Sequence, residues 1–252
     1  DGIRDTSVTG VQTCALPISA LELPGPGRWT AFGWFTFAYL IAAQAISFAL
    51  SAPDRDMGDL QKILYIHVPA AWNMGICYLL VAVYSFRYLA KRDERHDLIA
   101  AAAAEVGALL NGLTLVLGMI WGRPTWGVWW VWDARLTSTL IMFLVFAGYL
   151  ALRAFVEEPE RRALWSSVAG IFGAINYPIV YMSVRWWRTI HQLQSSPSTL
   201  DPNYTLSLRL NAFAFLFLLI YFIRRRYVAA MTERVAEQTL QAAVLGGASR
   251  AS

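Results

Sequence analysis

Residues 121–137 read WGRPTWGVWWVWDARLT and lie between two long apolar runs, 98–120 and 136–153. Five tryptophans (Trp121, Trp126, Trp129, Trp130, Trp132) fall within twelve positions, closed by Asp133 and Arg135. Indole is a large flat apolar surface with one N–H donor. A cluster this dense beside so few charges suggests a platform for a large flat aromatic ligand, with Arg135 placed for an anionic group. Its position between apolar runs puts the platform at a membrane surface. The plainer alternative is an aromatic belt, in which Trp marks the headgroup level. A belt supplies one or two Trp per helix end, not five in one loop.

Working outward, the composition agrees with a membrane setting. The 252 residues are 57% hydrophobic and only 15% charged, with a mean hydropathy of +0.43. A soluble domain averages about 25% charged residues. A helical span needs about 20 mostly apolar residues to cross about 30 Å of hydrocarbon. Six runs qualify: 29–50, 68–89, 98–120, 136–153, 164–185 and 206–223. The expected fold is therefore an all-α integral membrane protein with six transmembrane helices. Short connections make neighbouring helices antiparallel. The net charge of +4 is scattered through short loops, which argues against a nucleic-acid partner and for a topology signal. Cys14 and Cys77 form neither a CxxC pair nor a disulfide framework. No GxxxxGK[ST] occurs, so any nucleotide use would belong to a partner, and no hydrolytic motif suggests an enzyme.

Basic residues orient the spans. One set of loops holds Arg28, Arg87, Lys91, Arg92, Arg95, Arg153, Arg161, Arg162, Arg224, Arg225, Arg226 and Arg234. The opposite set holds Arg55, Lys62, Arg123, Arg135, Arg185, Arg188 and Arg209. Twelve against seven places both termini in the cytoplasm. The tryptophan loop and its companions, 51–67 and 186–205, then lie on the outer face. The chain divides into an N-terminal segment 1–24, a six-helix membrane domain 25–228 with its tryptophan loop 121–137, and a cytoplasmic tail 229–252, read as a short surface helix that frays. Residues 1–18, DGIRDTSVTGVQTCALPI, lack the charged start and apolar core of a signal peptide. They look like translated sequencing-adapter read-through, so no function is placed on them.

Two of the three histidines share the tryptophan side. His96 lies in the charged turn KRDERHDL and reads as a solvated loop residue. His67 closes the first outer loop in ILYIHVPAAW, and His191 lies in the third in RWWRTIHQ. Leu60, Ile63, Leu64 and His67 fall at one helical stripe, and Trp187, Ile190, His191 and Gln194 at another. A single histidine at a helix end is ordinarily structural; two flanking a tryptophan loop are harder to dismiss. Neutral imidazole is a common iron ligand in haem proteins. A planar macrocycle between two imidazoles and covered by indoles uses all three features. Arg135, with Arg123, Arg185 and Arg188 as further partners, suits the propionates. Asp133 is expected to orient an indole N–H, hold Arg135, or simply fix the loop.

At this point the residues resemble a known family. WGRPTWGVWWVWDARLT is similar to the tryptophan-rich WWD signature of the haem-handling proteins of cytochrome c biogenesis. YIHVPAAW and NYPIVYMSVRWWRTIHQ are similar to the two histidine segments of its CcmC (cytochrome c maturation protein C) branch. The resemblance covers about residues 60–225. It implies haem b held as a transported ligand at the outer face of the bacterial inner membrane and delivered to a periplasmic haem chaperone. It further implies a small single-span membrane subunit and an ABC-type transporter complex as partners. By residue match, His67 and His191 would be the axial ligands, and Trp121, Trp126, Trp129, Trp130, Trp132, Asp133 and Arg135 the haem platform. Arg185 departs from the acidic or apolar residue expected before the WW pair, and the N-terminal segment falls outside the resemblance.

Inside the spans, Glu105 is expected to have a structural role, protonated or bonded to a neighbouring helix, Pro178 to kink the fifth span, and Asn176 to bond across helices. Two other classes are weighed against haem delivery. A membrane b-type cytochrome would place histidines in the middle of paired spans. A secondary transporter would show repeated halves with midplane polar sites. The sequence has neither feature.

Overall fold

The computed structural model describes residues 26–191 and 202–248. The N-terminal segment 1–24 read above lies outside them, as does Gln194. Six helices follow in order: α1 (Pro26–Leu50), α2 (Leu64–Lys91), α3 (Glu94–Trp126), α4 (Ala134–Phe155), α5 (Pro159–Trp186) and α6 (Pro202–Ala248). A short 3-10 turn, Asp59–Ile63, precedes α2. Each helix contains an 18-residue window apolar enough to cross a membrane, with mean hydropathy from 1.4 to 2.0. All six expected spans are present, and the described chain contains no strand. In hydrocarbon the backbone has to bond within its own segment, which leaves the helix as the open-chain solution.

Helix ends are set by identifiable chemistry. Arg92 closes α2 in the left-handed region (φ 55°) and gives its amide to the Tyr88 carbonyl at 2.7 Å. Asp93 then caps α3 by accepting the Arg95 amide at 2.9 Å. Those two residues make a tight antiparallel hairpin of α2 and α3. Gly127, at φ 77°, ends α3, and the Asp133 carboxylate caps α4 by accepting the Leu136 amide at 2.8 Å. Pro159 opens α5 at its first turn, where a missing amide costs nothing.

Two extents differ from expectation. The expected loop 121–137 is mostly helix: α3 runs on to Trp126 and α4 begins at Ala134, which leaves 127–133 irregular. Pro124 sits inside the last turn of α3 without ending it. The helix stops only where Gly127 adopts the conformation a side chain disfavours. Likewise the tail is no separate surface helix, because α6 continues unbroken for 47 residues. At 1.5 Å per residue it is about 70 Å long, more than twice the hydrocarbon thickness. No Gly or Pro interrupts residues 224–244, so nothing local stops the helix. Arg234, on this extension, pairs with Glu94 of α3 and with Glu237 at 3.0 Å.

The bundle is centred on α2, which packs against α3, α5 and α6, while α1 leans on α6 and α4 on α5. Small residues let the backbones approach, as membrane helices require without a hydrophobic drive between them. Ala100–Ala104 of α3 are all buried. A Cβ on Gly75 would lie 2.0 Å from the Tyr177 ring, so α2 and α5 meet where no side chain fits. Tyr78 stacks on Phe146 at 3.8 Å and accepts a hydrogen bond from Asn111 at 3.1 Å. Polar side chains stitch the helices elsewhere. Asn211 of α6 accepts from Gln44 and donates to Ser47 of α1, both at 2.8 Å. Asn176 donates to the Ser138 carbonyl at 2.8 Å, the cross-helix bond expected of it. Glu105 pairs with Arg226 of α6, the neighbouring-helix contact expected of it.

At the end of the bundle away from the tryptophans, Asp97 of α3 receives Arg153 of α4 through two bonds, 2.6 and 2.9 Å. The side chains are 5% and 13% exposed. Removing one partner of a buried pair strands the other charge, at a cost of about 3–5 kcal/mol. Arg153→Met is therefore expected to lower Tm in detergent markedly, and Asp97→Asn/Arg153→Met to recover most of the loss; thermal unfolding of the three proteins checks this.

Candidate functional site

The tryptophan end of the bundle carries a cavity between α2, α3, α4 and α5. Its empty volume is about 630 Å³, part of it open to the outside. From α2 come His67, Ala71 and Met74; from α3, Thr114, Leu115, Gly118, Met119, Trp121 and Trp126. Trp130, then Arg135, Leu136 and Thr139 of α4, Val180 of α5 and His191 complete the wall. Four expected site residues from 121–137 (Trp121, Trp126, Trp130 and Arg135), one at 67 and one at 191 thus meet in one place. The lining is apolar apart from two imidazoles, two threonines and one guanidinium. That composition suits a largely apolar ligand with a few fixed polar points.

His67 stands in the first turn of α2 with its ring against Gly118 of α3. A Cβ at Gly118 would come within 3.3 Å of His67 Cε1, so the absent side chain makes room for the imidazole. His67 Nδ1 is buried without a hydrogen-bond partner, as are Nε1 of Trp121 and Nε1 of Trp130. All three belong to residues of the cavity wall. Trp121 and Trp126 meet edge to face at 5.1 Å. Trp126 lies 6.1 Å from the His191 ring, at an interplanar angle of 59°.

The other expected site residues are placed around the rim. Trp129 and Trp132 are exposed, at 55% and 76%, and do not line the cavity, although Trp132 meets Trp130 edge to face at 5.6 Å. Asp133 does not line it either. Its carboxylate caps α4 and accepts hydrogen bonds from Thr189 and Ile190. Arg135 does reach the cavity. Its Nε donates to Ser183 Oγ at 3.3 Å and one Nη to the Tyr181 carbonyl at 3.1 Å, which ties α4 to the end of α5. A guanidinium has five N–H donors, so these two bonds do not exhaust it. Arg123 turns back onto the Gly127 carbonyl, and Arg185 and Arg188 are exposed; none of the three lines the cavity.

Both expected histidine stripes are corrected. Residues 60–67 span a 3-10 turn and only the start of α2, and Leu60 is exposed. Residues 187–191 follow the end of α5 and are not helical, with Trp187 and Ile190 exposed. The stripe that does face the cavity runs the other way, His67, Ala71 and Met74, and meets Thr114, Gly118 and Trp121 of α3. Extending the 3.6-residue period forward from His67 finds the first set; nothing local marks the second. The loop before α2 is itself ordered by Asp54, whose carboxylate accepts the amides of Asp56 (2.9 Å) and Met57 (3.0 Å). Those bonds hold its carboxyl below the usual carboxylate range. Met57 Sδ accepts from Thr125 at 3.6 Å, joining this loop to the end of α3.

Comparison with known proteins agrees with the motifs. A family model described as CcmC, heme exporter protein C, matches residues 12–242. The match begins inside the N-terminal segment set apart above and exceeds the 60–225 stretch that carries the motifs. Heme exporter protein C of Bradyrhizobium diazoefficiens is 35% identical over 244 residues, 92% of this chain and 91% of that protein. The protein of that name in Escherichia coli K12 is 36% identical over 207 residues, 79% of this chain and 84% of its own. A putative cytochrome c biosynthesis ccmC-like mitochondrial protein of Marchantia polymorpha is 40% identical over 164 residues, covering 63% and 68%.

The packing of His67 on Gly118 has a direct consequence. Gly118→Val is expected to drive the imidazole out of its seat and raise its reaction with diethyl pyrocarbonate several-fold, measured by peptide mass spectrometry. An unchanged rate would show that the glycine does not seat the ring.

Proposed function

Because the chain belongs to the CcmC family, the haem exporter protein C family of the bacterial inner membrane, we propose that it holds haem at the periplasmic face and delivers it to a periplasmic haem chaperone for cytochrome c maturation. The observation that carries this reading is one cavity containing two imidazoles, three indoles and a guanidinium. Haem is the cargo, of the b type, and the residues fit its chemistry. His67 and His191 would supply the two axial ligands. Trp121, Trp126 and Trp130 would pack on the ring, and Arg135 would pair with a propionate through charge-assisted hydrogen bonds. Trp129 and Trp132 form an exposed aromatic lip beside the opening.

A transfer protein must not hold its cargo too well. An open cavity suits that need, because one edge of the ring stays within reach of the acceptor. We place the propionate edge at Arg135 and the vinyl edge outward. The partners proposed with this role are the haem chaperone, a small single-span subunit and an ABC-type complex that uses nucleotide. The bias of basic residues supports both termini in the cytoplasm. The role is binding and transfer, not catalysis.

A membrane b-type cytochrome is less well supported. His67 lies at the start of α2, His191 beyond the end of α5, and His96 in the first turn of α3; none is near the middle of a span.

His67→Ala and His191→Ala are each expected to convert a low-spin absorption spectrum to a high-spin one and to stop loading of the acceptor. Wild-type loading in both single variants contradicts the ligand assignment. Arg135→Gln is expected to speed haem release roughly ten- to a hundredfold, the scale of a lost hydrogen bond to a charged group. Transfer to apomyoglobin measures it, and an unchanged rate removes Arg135 from the propionate role.

A further inference from the structure

The Asp133 carboxylate faces two ways. Oδ1 accepts the Leu136 amide and caps α4. Oδ2 accepts the Thr189 hydroxyl and, at 3.2 Å, the Ile190 amide. The Thr189 oxygen in turn accepts the His191 amide at 3.1 Å. A hydroxyl can donate and accept at once, so Thr189 serves as a relay between a carboxylate and a backbone amide 58 residues on from it in sequence position 191. The segment involved, 187–191, lies beyond the end of α5 and has no helical repeat to order it. Its amides at 190 and 191 are taken by side chains instead. Hydrogen bonds to an ionised acceptor are the stronger kind.

We propose that Asp133 and Thr189 form a clamp that positions His191 at the cavity, and that neither touches the cargo. This rests on the reading of His191 as an iron ligand. Three facts carry it: Asp133 does not line the cavity, both its oxygens are engaged, and the bonds end on the His191 backbone. The same carboxylate caps the helix whose first turn carries Arg135. One residue therefore sets the register of two cargo contacts, an imidazole and a guanidinium. The closing aspartate of the tryptophan motif is a positioning residue, and Thr189 is its partner. Serine preserves the relay; valine, of nearly the same shape, removes it.

The test uses the full chain in detergent, loaded with ferric haem, as wild type, Thr189→Val, Thr189→Ser and His191→Ala. Thr189→Val is expected to take on the high-spin spectrum of His191→Ala, with added imidazole restoring the low-spin form in both. Thr189→Ser is expected to match wild type. In the haem-free protein, amide exchange at 190 and 191 should be roughly tenfold faster in Thr189→Val, the scale of one lost hydrogen bond, with exchange in α4 unchanged. If valine is not accommodated, Thr189→Ala carries the same expectation. Wild-type spectrum and exchange in the Thr189 variants overturn the clamp. A wild-type spectrum in His191→Ala overturns the ligand reading itself, a separate failure.

Discussion

A backbone in hydrocarbon has no water to bond to, so every amide and carbonyl there must find a partner within the protein. This requirement shapes the whole molecule. It makes six helices and pushes irregular backbone to their ends. At the tryptophan end the irregular stretches, 51–58, 127–133 and 187–191, are ordered by side chains that stand in for helical partners. Asp54 holds the first, Arg123 bonds the Gly127 carbonyl of the second, and Asp133 holds the third. Gln61, buried, adds a bond of 2.6 Å to the Ala52 carbonyl. The site lies where the helices stop: most of its wall is helical, and irregular backbone adds Trp130 and His191 to it.

The two ends of the bundle are fastened differently. Away from the tryptophans, Asp97–Arg153, Glu94–Arg234 and Glu105–Arg226 join α3 to α4 and α6 by charge. Surface pairs of this kind contribute little singly, and only Asp97–Arg153 is well buried. Through the middle, small residues keep α2, α3 and α5 close, and the stacked Tyr78 and Phe146 join α2 to α4. At the tryptophan end the packing opens instead, and indole and imidazole nitrogens are left unpaired.

Much of this was legible beforehand, and the failures share a cause. The six spans follow from hydropathy alone, since about 20 apolar residues in a row have few other uses. The gathering of His67, His191, the indoles and Arg135 followed from topology, because alternating spans bring every second loop to the same side. What misled was local patterning. The stretch 121–126, two of its six residues tryptophan, suggests a loop where α3 simply continues, and a 3.6-residue spacing suggests a helix through His191 where residues 187–191 are not helical. Glycine placement in the first case, and a carboxylate from another loop in the second, outweighed the local signal.

By itself the sequence determined the class, the number of spans, that the chemistry gathers at one end of the bundle and the residue types available there. These are consequences of residue type and spacing along the chain. Only the tertiary structure decided that Gly118 seats His67, that Trp129 and Trp132 stand on the rim while Trp121 and Trp126 look inward, and that Asp133 spends its carboxylate on Thr189 and Ile190. The physical reason is range. Asp133 and Thr189 are 56 positions apart, and the face a helix turns toward a cavity is chosen by neighbours that no window along the chain contains.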